Sequence, residues 1–335
     1  MKLIIPMAGM GKRMRPHTLT VPKPLIPIAG KPIVQRLVED IAQVTSEPIT
    51  DVAFVVGHFG EEVERNLVAI AEGLGAKGHI FYQDEPLGTA HAILCAAPLL
   101  EGKVIVAFAD TLFKADFKLN EGLDGTIWVQ HIEDPRAFGV VKVNEQGVIT
   151  DFVEKPQEPV SNLAIIGIYY LKDGLNLRRE LQYLIDHNLR EKGEYQLTNA
   201  LENMKAKGLQ FIPGQISEWL DCGNKDSTVY TNQRILELKQ HSETLVHPGA
   251  KLENAVVIAP SFIGEGAVIR NSVVGPHASI GAHSLVERAV VQNTIVQTHS
   301  RIRNCSISNS MIGNHAEVNQ KALDLSMGDY TTLQS

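Results

Sequence analysis

Residues 1–32 read MKLIIPMAGMGKRMRPHTLTVPKPLIPIAGKP, and this stretch decides how the first part of the chain folds. Residues 3–8 form an apolar run that stops at a glycine, which is typical of a short buried strand in a parallel sheet. Gly9 and Gly11 lack a β-carbon, so the turn after this strand lets the backbone approach a ligand closely. Three cations are crowded into the same turn: Lys12, Arg13 and Arg15. The composition therefore predicts a polyanion site at the end of the first strand.

A further cation, Lys23, stands between Pro22 and Pro24. Proline fixes the backbone angle φ, so the two prolines stiffen the segment that carries the lysine. We therefore expect Lys23 to hold a defined direction relative to the glycine turn.

Two common phosphate-binding loops are excluded by the residues themselves. A Walker A loop requires G-x-x-x-x-G-K-[ST], and the chain contains no such string. A dinucleotide-binding turn requires a third small residue where Met14 stands, and an acidic residue at the end of the next strand, where residues 52–57 have none.

The stretch resembles the signature of the sugar-phosphate nucleotidyltransferases, the pyrophosphorylases that make nucleotide sugars. That signature is G-x-G-x-R-[LM]-x-P followed by K-P-L-x-P, and Arg13, Pro16 and Lys23 stand in register with it. Met10 and Lys12 depart from it, because many members have glycine and threonine there. The resemblance implies that Arg13 and Lys23 are catalytic cations. It also implies that the turn binds the nucleotide through Ala8, Gly9 and Gly11.

Apolar periodicity after Pro32 alternates between helix and strand. Helical spacing is found in residues 31–44 and 61–73, and strand patterns are found in residues 51–56, 79–82 and 104–110. This rhythm predicts an α/β fold with a Rossmann-like, mostly parallel sheet. Ligands of such sheets lie at the carboxyl ends of the strands. We therefore expect the loops that start at Gly9, Gly57, Gln83 and Ala109 to converge on one crevice.

The loop at residues 83–92, QDEPLGTAHA, runs from a strand end into a helix. The amide of Gln83 offers a donor and an acceptor, as the edge of a pyrimidine requires. The resemblance implies that Gln83, Gly88 and Thr89 bind the nucleotide and read uracil or thymine. The structural alternative is an ordinary helix start with Pro86 and Thr89 near the cap. We interpret His91 as a plain helix residue.

Two aspartates match the family's metal ligands. Asp110 ends an apolar strand, where a carboxylate needs a partner, and Mg²⁺ prefers one or two carboxylates plus phosphate oxygens. A single aspartate at this place is often only a helix cap. Asp221 lies in WLDCG, which matches the family string W-x-D-x-G. The resemblance therefore implies a magnesium site formed by Asp110 and Asp221.

A predicted antiparallel lobe follows, with a hairpin over residues 138–154. In the family, residues at these positions bind the sugar phosphate, and the resemblance carries this role to Gly139, Glu154, Lys155, Ile165 and Gly167. Taken alone, Glu154 and Lys155 could be a surface ion pair worth ~0–1 kcal/mol. Family members that use N-acetylhexosamines usually have asparagine shortly before the last of these glycines. Residues 164–166 are Ala-Ile-Ile, which favours plain glucose 1-phosphate.

From residue 246 the aliphatic period changes to five or six residues, with these positions expected inside: Val246, Leu252, Ile258, Ile263, Ile269, Val274, Ile280, Val286, Ile302, Ile307, Ile312 and Val318. This resembles the hexapeptide repeat of left-handed parallel β-helices, at roughly eighteen residues per coil. We predict a nucleotidyltransferase domain at residues 1–241 and a left-handed β-helix domain at residues 242–335. We expect the β-helix to form a homo-oligomer.

Composition limits the possible functions. The chain has 335 residues and a net charge of −7, and its cations gather locally, which argues against a nucleic-acid surface. No apolar run of about 18 residues and no leader pattern occurs, so we expect no membrane association and a cytoplasmic location. Three scattered cysteines without metal spacing agree with a reducing compartment.

The predicted reaction is Mg²⁺-dependent transfer of a nucleotidyl group from dTTP or UTP to a sugar 1-phosphate. The attacking phosphate is already ionised, so no general base is required. Two alternatives stay open. The chain could be a non-catalytic regulatory subunit, or it could also transfer acetyl groups on the β-helix, where His277, His283 and His299 are weak candidates.

Overall fold

The computed structural model describes residues 1–9, 11–114, 118–158, 160–320, 326–328 and 332. Met10, where the sequence departs from the family signature, lies outside the described residues. The chain forms two compact units, one of residues 1–26 and 31–227, the other of residues 27–30 and 228–335. The domain boundary predicted after residue 241 stays a prediction.

Thirteen strands are described before residue 227: β1 (Lys2–Pro6), β2 (Pro27–Ile28), β3 (Lys31–Pro32), β4 (Asp51–Val56), β5 (Lys77–Tyr82), β6 (Val104–Ala107), β7 (Thr111–Lys114), β8 (Gly125–His131), β9 (Gly139–Val143), β10 (Ile149–Glu154), β11 (Leu163–Leu171), β12 (Phe211–Gln215) and β13 (Glu218–Asp221). The α-helices are α1 (Ile33–Val44), α2 (Glu61–Glu72), α3 (Thr89–Cys95), α4 (Gly174–Asp186), α5 (Leu197–Ala206) and α6 (Lys225–Lys239).

The main sheet of the first unit has the strand order β10-β9-β11-β6-β1-β4-β5, and β8 pairs with both β11 and β12. The strands β6, β1, β4 and β5 are parallel neighbours, joined by the helices between them. Ile4 pairs with Ala53 on one side and with Val106 on the other, and all three are buried. The predicted Rossmann-like, mostly parallel sheet is confirmed.

The other half of the sheet is mostly antiparallel, with β12 parallel to β8 as the exception. Strand β11 runs antiparallel to β6, and the hairpin β9–β10 extends the sheet beyond it. The predicted antiparallel lobe is therefore part of the same sheet rather than a separate layer.

Two predicted strands are shorter than expected. The first strand ends at Pro6 and the central strand β6 ends at Ala107, so that Met7–Gly9 and Phe108–Asp110 are loops. The shortening places Gly9 and Asp110 beyond the carboxyl edge of the sheet, where their backbone is free to turn toward a ligand.

The second unit contains short parallel strands stacked in three sheets: β14 (Lys251–Glu253), β15 (Val256–Val257), β16 (Phe262–Ile263), β17 (Val268–Arg270), β18 (Val273–Val274), β19 (Ser279–Ile280), β20 (Leu285–Glu287), β21 (Val290–Gln292), β22 (Ile295–Val296), β23 (Arg301–Arg303), β24 (Ser306–Ser308), β25 (Met311–Ile312) and β26 (Glu317–Asn319). The sheet orders are β14-β17-β20-β23-β26, β15-β18-β21-β24 and β16-β19-β22-β25. Each strand therefore pairs with the strand three places later in the chain, which is the arrangement of a parallel β-helix. Its hand stays a prediction.

The coil length differs from the predicted eighteen residues. Asn254 and Asn271, which lie above one another at one corner, are 17 residues apart, and Arg288 and Asn304 are 16 apart. All four have positive φ, and asparagine tolerates this left-handed conformation better than most residues. The missing residue lies between β21 and β22, because β18 pairs with β21 at an offset of 17 residues and β19 pairs with β22 at an offset of 16.

Three of the predicted core positions are wrong. Ile263, Ile269, Val274, Ile280, Val286 and Ile302 are fully buried, but Val246, Leu252 and Ile258 are exposed. Leu252 is in register with Ile269, so it points inward, yet its coil has a neighbour on one side only. An aliphatic side chain in an end coil loses half of its packing partners.

Asn232, on α6, connects distant segments within the second unit. Its Oδ1 accepts hydrogen bonds from the Ala29 amide at 2.9 Å and from the Ser279 hydroxyl at 2.7 Å. Its Nδ2 donates to the His277 carbonyl at 3.3 Å. Asn232 is fully buried, and these partners satisfy its amide.

Among the described residues, no helix is both long and apolar enough to cross a membrane.

Candidate active site

A cavity of about 590 Å³ lies at the carboxyl edge of the parallel strands in the first unit. Nine residues predicted from the sequence line it: Ala8, Gly9, Gly11, Arg13, Lys23, Gln83, Gly88, Thr89 and Asp110. The loops after β1, β5 and β6 therefore converge on one crevice, as expected. The loop after β4 does not contribute, because Gly57 lies beside the Ala8 carbonyl and is not part of the lining.

The glycine turn is shaped by its contact with Lys23. Gly11 has φ +56°, and a β-carbon there would lie 3.0 Å from the Lys23 β-carbon. The Thr18 hydroxyl donates to the Gly11 carbonyl at 2.8 Å and holds the turn from its other side. A short 3₁₀ turn follows, with Met14 buried and Arg13 exposed. The buried methionine anchors the turn, and the arginine reaches the cavity.

Lys23 is the buried cation of this cavity. Its side chain is 10% exposed, and its Nζ lies 3.0 Å from Oδ2 of Asp110, whose side chain is 44% exposed. A charged group at this depth needs an opposite charge, and Asp110 supplies it. The pair joins the proline-stiffened segment to the loop after β6.

Asp110 and Asp221 are brought to the same place by backbone pairing. Strand β13 runs antiparallel to β7 with Asp221 opposite Thr111, and the Cys222 amide donates to the Asp110 carbonyl at 2.9 Å. Asp110 lines the cavity, and the Asp221 carboxylate lies beside Gly223, which lines it too. Oδ1 of Asp110 has no protein partner in the part of the chain that is described. Carboxylate oxygens are ligands that Mg²⁺ prefers, so the chemistry of these two residues fits such an ion.

The loop after β5 is held by close backbone contact. Gly88 has φ +117°, and a β-carbon there would lie 2.5 Å from the Tyr195 carbonyl oxygen. The Tyr195 amide donates to the Leu87 carbonyl at 2.8 Å, and the Ala90 amide donates to the Tyr195 carbonyl at 2.9 Å. Only glycine fits at position 88, because any side chain would separate these two segments.

Thr89 begins helix α3 and also lines the cavity. Its hydroxyl oxygen accepts from the Leu197 amide at 2.9 Å, and the hydroxyl lies 3.3 Å from Oε1 of Gln196. The alternative interpretation of this loop as a helix start is therefore confirmed, and its role in nucleotide binding stays a prediction. The two interpretations do not exclude each other.

The residues predicted for the sugar phosphate lie outside the cavity lining. A β-carbon at Gly139 would lie 3.1 Å from Oε2 of Glu154 and 3.4 Å from Cδ1 of Ile165, so these three residues are neighbours. The Thr198 hydroxyl is 3.4 Å from Oε2 of Glu154. Gly167 lies elsewhere, packed against Phe108, which does line the cavity.

Glu154 is mostly buried, and Lys155 beside it is half exposed. Their side chains are 12% and 50% exposed, and Lys155 Nζ lies 3.4 Å from Glu154 Oε1. The nearby Tyr169 is buried, and burial, together with the charge of Glu154, raises the pKa of its phenol far above the ordinary value. The phenol therefore stays neutral and cannot serve as a base here.

Two contacts at the site were not predicted. Lys192 donates to the carbonyls of Glu154 at 3.1 Å and Lys155 at 2.7 Å, which holds the turn at Lys155, where φ is +43°. His91, predicted to be a plain helix residue, is in α3, but its Nδ1 lies 3.1 Å from Nε2 of Gln83. The sequence carries no signal for either contact beyond the neighbouring motifs.

Comparison with known proteins agrees with this architecture. A family model described as nucleotidyl transferase matches residues 2–237. The low-salt glycan biosynthesis nucleotidyltransferase Agl11 of Haloferax volcanii is 30% identical over 347 aligned residues, covering 95% of this chain and 94% of that protein. A glucose-1-phosphate thymidylyltransferase of Streptomyces antibioticus is 30% identical, covering 96% of this chain and 94% of that protein.

Similarity to a solved structure concerns the fold alone. A crystal structure of UDP-glucose pyrophosphorylase complexed with UDP-glucose aligns with a TM-score of 0.58 and 24% identity, covering 71% of this chain and 98% of that one. Because the family match spans most of the chain and the relatives align over nearly their full length, the chain belongs to the nucleotidyl transferase family that its glycine turn and K-P-L-x-P segment resemble.

Proposed function

We propose that the chain transfers a nucleotidyl group from dTTP or UTP to glucose 1-phosphate, forming a nucleotide sugar and pyrophosphate. The observation that carries this proposal is the cavity, where cations, a glycine turn and the base-reading loop line one space. A nucleoside triphosphate needs these three kinds of surface at once. The relatives named for nucleotidyl transfer support the same reaction class.

The cations of the cavity suit a triphosphate and its leaving group. Lys12 and Arg13 follow the glycine turn, and Lys23 faces them from the proline-stiffened segment. In the proposed reaction, an oxygen of the sugar phosphate attacks the α-phosphorus, and the bond to the β-phosphate's bridging oxygen breaks. The pyrophosphate that leaves carries the negative charge, and Arg13 and Lys23 stabilise it.

The attacking group needs no base from the protein, since a phosphate oxygen is already ionised at neutral pH. This explains why the cavity lining contains cations, glycines and one aspartate rather than a nucleophile beside a histidine. The barrier lies in bringing two anions together, and fixed positive charge lowers it.

Asp110 and Asp221 are the residues that would hold Mg²⁺. The ion, when bound, neutralises phosphate oxygens and so lowers the repulsion between the substrates. Lys23 adds a further positive charge beside the proposed ion, because its Nζ pairs with Asp110.

The sugar phosphate is assigned to the neighbourhood of Gly139, Glu154 and Lys155. Glu154 accepts hydrogen bonds from sugar hydroxyls, and Lys155 contacts the phosphate. Gly139 has no side chain, which leaves room for the sugar ring. Even a methyl group at this position would lie 3.1 Å from Glu154 Oε2. Ile165 packs beside this point, and Gly167, on the same strand, packs against Phe108 in the cavity wall.

Pyrophosphate release tests the proposal. Purified protein is incubated with Mg²⁺ and glucose 1-phosphate, in parallel with dTTP, UTP, CTP, GTP and ATP. We expect turnover with dTTP or UTP. Turnover with only a purine nucleotide or CTP would overturn the base assignment. If no pyrophosphate is released with any of the five nucleotides, with glucose 1-phosphate or with other sugar phosphates, the proposed reaction is wrong.

We also propose a cytoplasmic homo-oligomer held together by the β-helix. Exposed valines in register on the outer face of one sheet, Val256 and Val290, provide an apolar surface for such contacts. Light scattering of the intact chain tests this, and the mass of a single chain would contradict it.

A further inference from the structure

The amide of Gln83 is held in one orientation by groups of the protein. Its Nε2 lies 3.2 Å from the Gly88 carbonyl oxygen and 3.1 Å from Nδ1 of His91. A carbonyl oxygen can only accept, so the NH₂ end of the amide must face Gly88. Both N–H bonds are then directed at protein acceptors, and the ring nitrogen Nδ1 of His91 must be the unprotonated one.

Both acceptors belong to the first turn of helix α3. The Gly88 carbonyl also accepts from the Ala92 amide at 3.0 Å, the first hydrogen bond of the helix, so its direction is fixed. His91 is the third residue of the same helix. The backbone N–H of Gln83 donates to the Val56 carbonyl at 2.9 Å. Hydrogen bonds therefore hold Gln83 between the end of strand β4 and the start of helix α3.

The carbonyl oxygen Oε1 is the part of the Gln83 side chain without a protein partner in the described part of the chain. Since Gln83 lines the cavity, this oxygen is what the side chain offers to a ligand. An acceptor in this place matches a base with a ring N–H, as uracil and thymine have at N3. Cytosine has an unprotonated N3 there, which would set two acceptors against each other.

We propose that His91 is a positioning residue that fixes the polarity of Gln83 and thereby makes the cavity select uracil or thymine over cytosine. This inference rests on the proposed function, because it takes Gln83 as the residue that meets the base. To accept cytosine, the amide must turn over, which would direct Oε1 at the Gly88 carbonyl and at Nδ1 of His91. The Gly88 carbonyl cannot donate to that oxygen, and His91 could do so only by moving its proton to Nδ1, so the reversal is unfavourable.

Three proteins test the inference: the unchanged chain, His91→Leu and His91→Asn. Leucine removes the acceptor, whereas the Oδ1 of asparagine replaces Nδ1 as an acceptor. The measured quantity is the ratio of kcat/KM for UTP to kcat/KM for CTP, with glucose 1-phosphate as the second substrate. The same ratio is measured without turnover, from the Kd values of the two nucleotides.

We expect the unchanged protein to prefer UTP by at least about 100-fold. In His91→Leu the ratio should fall roughly tenfold, since one of the two acceptors that hold the amide is lost. In His91→Asn it should return to within about threefold of the original. A merely structural role of His91 would lower both activities equally and leave the ratio unchanged.

The outcomes separate the two proposals. An unchanged ratio in a folded His91→Leu protein, judged by its thermal transition, overturns the role of His91 and leaves the nucleotidyl transfer standing. If the unchanged protein neither turns over nor binds any pyrimidine nucleotide, the proposed function fails and takes this inference with it. A low ratio in both variants also overturns the inference, because the asparagine supplies the acceptor.

Discussion

The proposed nucleotide side and the proposed sugar side of the first unit are built in different ways. On the nucleotide side, loops that follow parallel strands meet in one cavity, and close backbone contacts such as Gly88 against Tyr195 fix their shape. On the sugar side, Gly139 and Glu154 are paired across antiparallel strands, and the atom nearest to an added carbon at Gly139 belongs to the Glu154 side chain. The nucleotide side is therefore preorganised by backbone, whereas the sugar side can adjust by moving a side chain. This predicts that mutations on the nucleotide side have the larger effects.

The largest effect is expected from Arg13→Ala. The change removes a fixed positive charge from the cavity, and pyrophosphate release should fall by about 10²–10³ with the fold intact. Arg15→Ala is the matched control, because Arg15 is an exposed arginine of the same turn that does not line the cavity. Equal rates for the two variants would contradict the proposed role of Arg13.

Gly88→Ala should come next. Its β-carbon would lie 2.5 Å from the Tyr195 carbonyl oxygen, so the base-reading loop must shift, and kcat/KM for the nucleotide should fall about 100-fold. Gly60→Ala is the control, because Gly60 also has a positive φ but nothing within 4 Å of the added carbon. Gly60→Ala should lower the melting temperature and leave the KM for the nucleotide unchanged.

Gly139→Ala probes the sugar side and should have a smaller effect. The added carbon would lie 3.1 Å from Glu154 Oε2, a side-chain atom that can move by a few tenths of an ångström. The KM for glucose 1-phosphate should rise about tenfold, the loss of roughly one hydrogen bond. The Kd for the nucleotide should stay the same, and a parallel loss of nucleotide affinity would show that the two sides are not independent.

Arg136→Ala should have the smallest effect on the reaction. The Arg136 guanidinium holds the pKa of the exposed Asp134 carboxyl at about 2, first through a side-chain hydrogen bond. Because this pKa is depressed in the folded protein, the pair favours folding above about pH 4, and the benefit is lost as the pH falls toward 2. In the variant the Asp134 pKa should rise toward its ordinary value, as followed by NMR, with unchanged turnover at neutral pH. The rise should be partial, because the backbone amide of residue 136 still donates to this carboxyl.

The nucleotide side was largely predictable because its residues are contiguous. Gly9, Gly11 and Arg13 occupy one turn, and the residue types needed there leave few alternatives. Asp110 and Asp221 were paired only by resemblance, since they are far apart in sequence and a strand ladder brings them together. The structure brings Gly9, Gly11, Arg13 and Asp110 to one cavity, and the roles of these residues stay predictions.

Other features could not be derived from sequence patterns. The contact between His91 and Gln83 depends on the path of the loop between them, which the helical spacing of His91 does not reveal. Tyr195 is more than a hundred residues from Gly88, so their close approach has no local signal. Leu252 keeps the period of the buried aliphatics, but the period does not tell which coil lies at an end.

Asn232 has a consequence for how the chain is made on the ribosome. Its partner Ala29 is 203 residues earlier, so the segment at residues 27–30 is synthesised long before the residue that completes its hydrogen bonding. At about 5–20 residues per second, the wait is on the order of 10–40 s. During that interval the strands around β1 can already pair, while residues 27–30 stay unfinished. We therefore expect nascent chains that stop before residue 232 to be cut by protease at this early segment.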